Sequence, residues 1–405
     1  MPGPRREQRM ARAVAQRVTR LGEVMIVKRL LLGIVLVLLG GGLAVLLVPA
    51  ALGRLPEGSI IARCVSRQES GRGSASRPTA VPTPSYDLTP AASLIGNAVA
   101  DMPLEGASLL LIQNHRVIYR QAFGSYTLDT ATAIASGSKW LTAATVMTLV
   151  DDGLLGLDDP IAKYLPDVDG AAAQITVRQL LSGTSGLPNL SPCLDDRSST
   201  LDRCAREIVD GPLVAAPGSA FSYSTAGFQV AGRIAEVVTG EPWATVFQER
   251  LQEPLGMWNT TYGPGSNPVL GGGVTTTLHD YGSFLQMMLG EGMFNGRQVL
   301  SAAAVREMER NQTGSLPILL SLHQDGRRYG LGEWRDIVDA QGEAVQLSSQ
   351  GDTGFSPWID RQRHLCGVFM TEDGLDRVYN LVAQVQETVR DIVDSAQAGA
   401  QWPRR

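Results

Sequence analysis

The sequence predicts a mixed α/β fold: one antiparallel sheet flanked by helices, with an all-α subdomain inserted into it. Two observations carry this expectation. Strand-like apolar runs stand near the start of the folded part, Ala107 to Gln113 and Val117 to Phe123, and return near its end. Between them the apolar spacing is helical, and a closing helical pattern follows the last strand.

In order, a short helix is expected over Pro90 to Asp101. The two strands after it flank the polar turn Asn114-His115-Arg116, which makes them a hairpin. Helical patterns follow over Lys139 to Val150, Thr176 to Leu181, Thr225 to Val238, Trp243 to Gln252, Leu278 to Leu289 and Ala302 to Glu309. Strands are then expected over Gly330 to Trp334, Ala344 to Ser348, Ser356 to Asp360 and Leu365 to Thr371, and a last helix over Val378 to Ser395.

Upstream of this domain the chain is of another kind. Leu30 to Leu52 holds no charged residue, and a helix of that length spans the ~30 Å core of a bilayer. Arg5, Arg6, Arg9, Arg12, Arg17, Arg20, Lys28 and Arg29 precede it, against Glu7 and Glu23, so the positive-inside rule puts the N-terminus in the cytoplasm and the rest outside. A cleaved signal segment, with small residues around Val48-Pro49-Ala50, is the alternative. Glu69 to Ser85, rich in Ser, Pro, Gly and Arg, reads as a linker. The expected organisation is a basic segment 1–29, an apolar anchor 30–52, a linker 53–89, a folded domain 90–396 and a tail 397–405.

With 35 Lys and Arg against 40 Asp and Glu and no basic face, nucleic acid is an unsuitable partner. Of four cysteines, Cys193 and Cys204 bracket a short polar segment and are expected to bridge, whereas Cys366 sits in an apolar run that suits a buried free thiol. No Cys/His spacing suggests zinc, and no Gly-x-Ser-x-Gly elbow accompanies the four histidines, which argues against a Ser-His-Asp hydrolase. Asp158 and Asp159 read as a solvated turn with a capping role.

The most specific local signal is Ser136-Gly137-Ser138-Lys139 at the start of a helical pattern. Residues three apart share a helical face, so Ser136 and Lys139 can meet while Ser138 and Lys139 cannot. The helix start also favours negative charge developing beside Ser136.

From about Ala107 to Asp360 the chain resembles the serine β-lactamase and penicillin-binding-protein superfamily, in particular its class C-like hydrolase and esterase branch. The resemblance rests on Ser136-Gly137-Ser138-Lys139, Gly153-Leu154-Leu155-Gly156-Leu157-Asp158-Asp159-Pro160, Thr184-Ser185-Gly186-Leu187, the approach Pro217 to Ser224, Gly271 to Thr277 and Tyr329 to Gly332, in the family's order. It implies acyl transfer through Ser136, without metal or organic cofactor, on a small-molecule or peptide-like substrate. The family's Tyr-x-Asn reads Tyr223-Ser224-Thr225 here. The resemblance therefore implies Tyr223 as a proton-transfer partner of Lys139, and a substrate contact altered at Thr225. The third motif is matched to Gly351-Asp352-Thr353-Gly354, on a strand edging the cleft. In that register Asp352 replaces the usual cation, Gly354 leaves room for the acyl group, and the N–H groups of Ser136 and Phe355 form an oxyanion hole. A D-peptidase or β-lactamase, or a non-hydrolysing receptor with altered motifs, are the alternatives.

Overall fold

The computed structural model describes residues 86–102 and 104–400. The basic segment, the apolar run 30–52 and nearly all of the linker lie outside them. Among the described residues no helix is long and apolar enough to cross a membrane.

Helix α1 (Thr89–Asp101) leads into the hairpin β1 (Gly106–Gln113) and β2 (Arg116–Gly124). A short strand, β3 (Ala131–Ala133), precedes α2 (Ser138–Asp151), and the helical part continues with α3 (Val177–Ser182) and α4 (Leu201–Asp210). After β4 (Phe221–Ser222) come α5 (Ala226–Thr239), α6 (Trp243–Phe247), β5 (Thr275–Thr277), α7 (Leu278–Leu289) and α8 (Ala302–Glu309). The chain then forms β6 (Ile318–Leu320), β7 (Arg328–Tyr329), β8 (Trp334–Val338), β9 (Ala344–Ser348), β10 (Ser356–Asp360), β11 (Leu365–Met370) and the long α9 (Leu375–Ala400).

Seven strands form one antiparallel sheet in the order β2-β1-β11-β10-β9-β8-β7, so the N-terminal hairpin pairs with the last strand through Ser108 to Gln113 against Met370 to Leu365. Because strand side chains alternate between faces, β1 feeds two cores at once. Leu109 and Leu111 pack with α1 and α9 through Ile95, Val378, Val382 and Val385, whereas Leu110 and Ile112 face α2 and α7 through Trp140 and Phe284. α2 is buried on every side from Ser138 to Leu149, which explains why its sequence is apolar and small all round rather than striped.

The hairpin, α7, α8, β9 and β10 fall at or within a residue of their expected bounds. Other boundaries need correction. Gly330 to Glu333 is a turn, with Gly332 at φ 94, and the strand begins at Trp334. The helix from Trp243 ends at Phe247 and passes into a π-helical turn over Gln248–Gln252. α9 continues to Ala400, past the expected domain end at 396. α4, β3 and the paired β4 and β6 are additions; β6 runs parallel to β4.

Candidate active site

Ser136 lies in a single 3-10 turn, Ala135–Gly137, that runs directly into α2. Ala135 enters this turn with φ 42, a left-handed conformation unusual for a residue with a Cβ, and so holds Ser136 at a sharp corner. Gly137 is required by close approach: a Cβ there would stand 2.7 Å from the Phe355 ring. The corner is fixed from outside by Tyr281, whose hydroxyl donates to the Gly137 carbonyl at 2.9 Å. Ser138 is buried and structural, donating to the Ala135 carbonyl at 2.6 Å and accepting from the Val274 N–H at 3.0 Å.

Lys139 is fully buried. Its Nζ stands 3.1 Å from Ser136 Oγ, 3.1 Å from Thr225 Oγ1 and 2.7 Å from the Gly271 carbonyl. All three partners are neutral oxygens, and burial lowers the Lys139 pKa to about 7. A neutral amine can donate to Gly271 and Thr225 and still offer its lone pair to the Ser136 hydroxyl, the geometry of a general base.

Tyr223 is carried to the same place by β4. Its N–H donates to the Leu320 carbonyl at 2.9 Å, its ring stacks on Trp334 with centroids 5.4 Å apart, and its phenol and the Ser136 hydroxyl are hydrogen-bonding partners. Lys139 Nζ stands 4.7 Å from the ring centroid, over its face. Burial pushes the phenol well above its ordinary range; the bond to Ser136 opposes this and Asp352 adds to it. Tyr223 is therefore a neutral phenol that can relay a proton rather than a standing phenolate. Of the pair expected from the sequence, the lysine has the electrostatics of the base.

Thr225 is turned toward Lys139, so it supplies an acceptor to the base. Its N–H is in turn held by Asn189, through the main-chain carbonyl at 2.9 Å and Oδ1 at 3.2 Å. The expected third-motif register also needs correction. Gly351 to Gly354 is a turn beyond β9, closed by the Gly354 N–H on the Gly351 carbonyl at 2.9 Å. The backbone set beside Ser136 is Ser349 to Gly351: Ser349 Oγ lies 3.4 Å from the Ser136 carbonyl, and a Cβ on Gly351 would stand 2.1 Å from the Ile134 carbonyl.

Gly354 answers to conformation rather than to substrate room, with φ 99 and a missing Cβ that would meet Thr371 and Val378. Phe355 is fully buried, its ring packed on Tyr281 at 4.7 Å and against Gly137. Thr353 ties the turn to β3 by donating to the Ala133 carbonyl at 2.9 Å. Asp352 is exposed, and its backbone carbonyl accepts from the Leu375 N–H at 2.8 Å.

Sequence reasoning did not single out Trp334, Ser349 or Asn189. A serine in Leu347-Ser348-Ser349-Gln350 is ordinary strand vocabulary, and only the contacts of Ser349 with the Gly332 and Ser136 carbonyls show its place. The disulfide is where it was expected: Cys193 and Cys204 are bridged, with Cα atoms 5.2 Å apart, and Cys366 is free and buried. Asp159 accepts from the Gly156 N–H, Lys163 and Tyr164, and Asp158 pairs with Arg178, so both carboxylates are structural.

A serine at the start of a buried helix, a desolvated lysine on its face and a tyrosine brought in from the helical subdomain meet at one place. The Beta-lactamase family model matches residues 91–382, and the chain belongs to that family. Esterase EstB of Burkholderia gladioli is 31% identical over 192 residues, covering 41% of this chain and 49% of EstB. Protein flp of Staphylococcus aureus strain MW2 is 28% identical over 174 residues, covering 39% of this chain and 35% of flp. The matched region thus spans half or less of these curated relatives. Among solved structures, a β-lactamase candidate from Bacteroides dorei DSM 17855 is 36% identical with a TM-score of 0.70, covering 76% of this chain and 99% of that one. EstCE1, a hydrolase with promiscuous acyltransferase activity, shares the fold at 24% identity and a TM-score of 0.63, over 76% of this chain and 98% of its own.

Proposed function

We propose that this chain hydrolyses neutral esters or small amides through an acyl-enzyme on Ser136, outside the cytoplasmic membrane. The observation that carries the reading is Lys139 Nζ, buried and 3.1 Å from Ser136 Oγ, with a pKa lowered to about 7. Lys139 takes the Ser136 proton as Oγ attacks the carbonyl carbon. The Tyr223 phenol passes a proton to the leaving oxygen or nitrogen, and water then releases the acyl group by the reverse relay. The Ser136 N–H at the helix start and the adjoining Ser349–Gly351 backbone are the proposed surroundings of the oxyanion.

Esters are preferred over β-lactams and free peptide carboxylates because Asp352, exposed in the turn that follows Ser349–Gly351, puts a negative charge within electrostatic reach of Tyr223. The likeness to EstB supports the same choice. The location rests on the charge-free run Leu30 to Leu52 behind its basic flank, and the Cys193–Cys204 bridge suits an oxidising compartment.

The test is hydrolysis of p-nitrophenyl acetate by the full chain. Wild type and Ser138→Ala should turn it over and Ser136→Ala should not. Equal turnover by Ser136→Ala would overturn the assignment, and no turnover or fluorophosphonate labelling by wild type would favour a non-hydrolysing receptor.

A further inference from the structure

Resting on the reading of Ser136 as an acyl-accepting nucleophile, we infer that the Ile318–Leu322 segment is the binding rim for an aliphatic acyl chain, so that medium-chain esters are better substrates than acetates. Four aliphatic side chains in this segment face solvent: Ile318, Leu319, Leu320 and Leu322 are 36%, 55%, 40% and 48% exposed. From Asn311 to Gln324 the chain has no Asp, Glu, Lys or Arg, and Arg328 reaches the segment at the Leu316 carbonyl, ahead of these four side chains. Isolated exposed aliphatics need no explanation, whereas four exposed within five residues around one short strand mark a contact surface.

The placement names the occupant. β6 is bonded to the segment that delivers the catalytic tyrosine: Phe221 N–H donates to the Pro317 carbonyl at 2.8 Å and Tyr223 N–H to the Leu320 carbonyl at 2.9 Å. The apolar strand therefore lies beside β4, which leads directly into Tyr223. A group attached through an ester carbonyl at Ser136 passes this rim as it leaves the site. An uncharged, flexible alkyl chain matches it; a polar or charged acyl group would strip water from these leucines without replacing it.

The experiment compares kcat/KM of the full chain for p-nitrophenyl acetate, butyrate, hexanoate and octanoate below their critical micelle concentrations. Wild type, Leu319→Thr, the double variant Ile318→Thr/Leu322→Thr and the conservative Leu319→Ile are compared, with thermal melts confirming folding. Complete burial is worth about fourfold per methylene, so a rim covering one side of the chain gives roughly twofold, and octanoate should exceed acetate by about tenfold or more in wild type. The threonine variants should flatten that ratio by about threefold or more, and Leu319→Ile should keep it. A flat series in wild type, or an unchanged slope in both threonine forms, overturns the rim while Ser136-dependent hydrolysis still stands. A preference that emerges only above the micelle threshold overturns it in favour of a lipid surface. Turnover that survives in Ser136→Ala removes the proposed function and the rim with it.

Discussion

Lys139 has no solvent around it and only neutral oxygens within reach, and its chemistry follows from that confinement. An ammonium there forfeits hydration, so the proton is given up near pH 7 instead of near 10.5. Below about 7 the amine is protonated and unable to accept the Ser136 proton; above it the base is free. The kcat/KM profile should therefore rise with pH and level off above an apparent pKa of about 7, and a flat profile between pH 5 and 8 would count against Lys139 as the base. The same shift has a stability consequence. Between about 7 and 10.5 the unfolded chain binds a proton that the folded chain does not, so folding becomes more favourable as pH rises through that window. Relative to Lys139→Met, wild-type Tm should rise between pH 7 and 9.5, and an equal pH dependence in the two proteins would mean that Lys139 is not deprotonated on folding. Tyr223→Phe should fold normally and slow turnover by ~10² or more, the scale for removing a proton relay. Unchanged turnover would reduce Tyr223 to a wall stacked on Trp334.

Among elements, legibility followed the strength of the local pattern. β9 and β10 were legible because short apolar strands between turn residues leave few other choices. Helix α4 was hidden although Leu201, Cys204, Ala205, Ile208 and Val209 are spaced for one buried face, because the segment between the two cysteines reads as a polar loop. The contact between Ser136 and Lys139 was legible from the i to i+3 relation, whereas their reading as a catalytic pair came from the motifs that follow in the family's order. The third motif was not. Its register depends on which residues leave β9 beside Ser136, a tertiary fact, whereas Gly351-Asp352-Thr353-Gly354 spells a turn wherever it stands. The bridge between Cys193 and Cys204 closes the loop before α4, and its removal by the paired Cys→Ser change should lower stability by about 3 kcal/mol with activity retained below the new Tm. A melt unchanged by the substitution would show that packing of α4 alone holds that loop.

At the scale of the whole molecule, the sheet and the helical subdomain each supply part of the site, so neither folds into a catalyst without the other. The turn after β9 brings Ser349 and Asp352, the 3-10 turn and α2 bring Ser136 and Lys139, and the segment after β4 brings Tyr223 and Thr225. Asp352 should make wild type prefer a neutral ester over its carboxylate analogue by roughly two- to fivefold, the modest scale of an exposed charge, and Asp352→Asn should narrow that preference. Preference for the carboxylate in wild type would refute the role given to Asp352. The proposed external location, which rests on the apolar run 30–52, is checked with protease added to intact cells: it should reach the linker after residue 53, and protection of the linker would contradict an external domain.

The central claim, a Ser136 nucleophile activated by a neutral Lys139, is tested most directly by mapping a fluorophosphonate adduct by peptide mass spectrometry while following the labelling rate against pH. The adduct should fall on Ser136 alone, with a rate that climbs about tenfold per pH unit on the acid side and levels above about 7. An adduct on Ser138, or labelling of Ser136 at an undiminished rate in Lys139→Met, would contradict it.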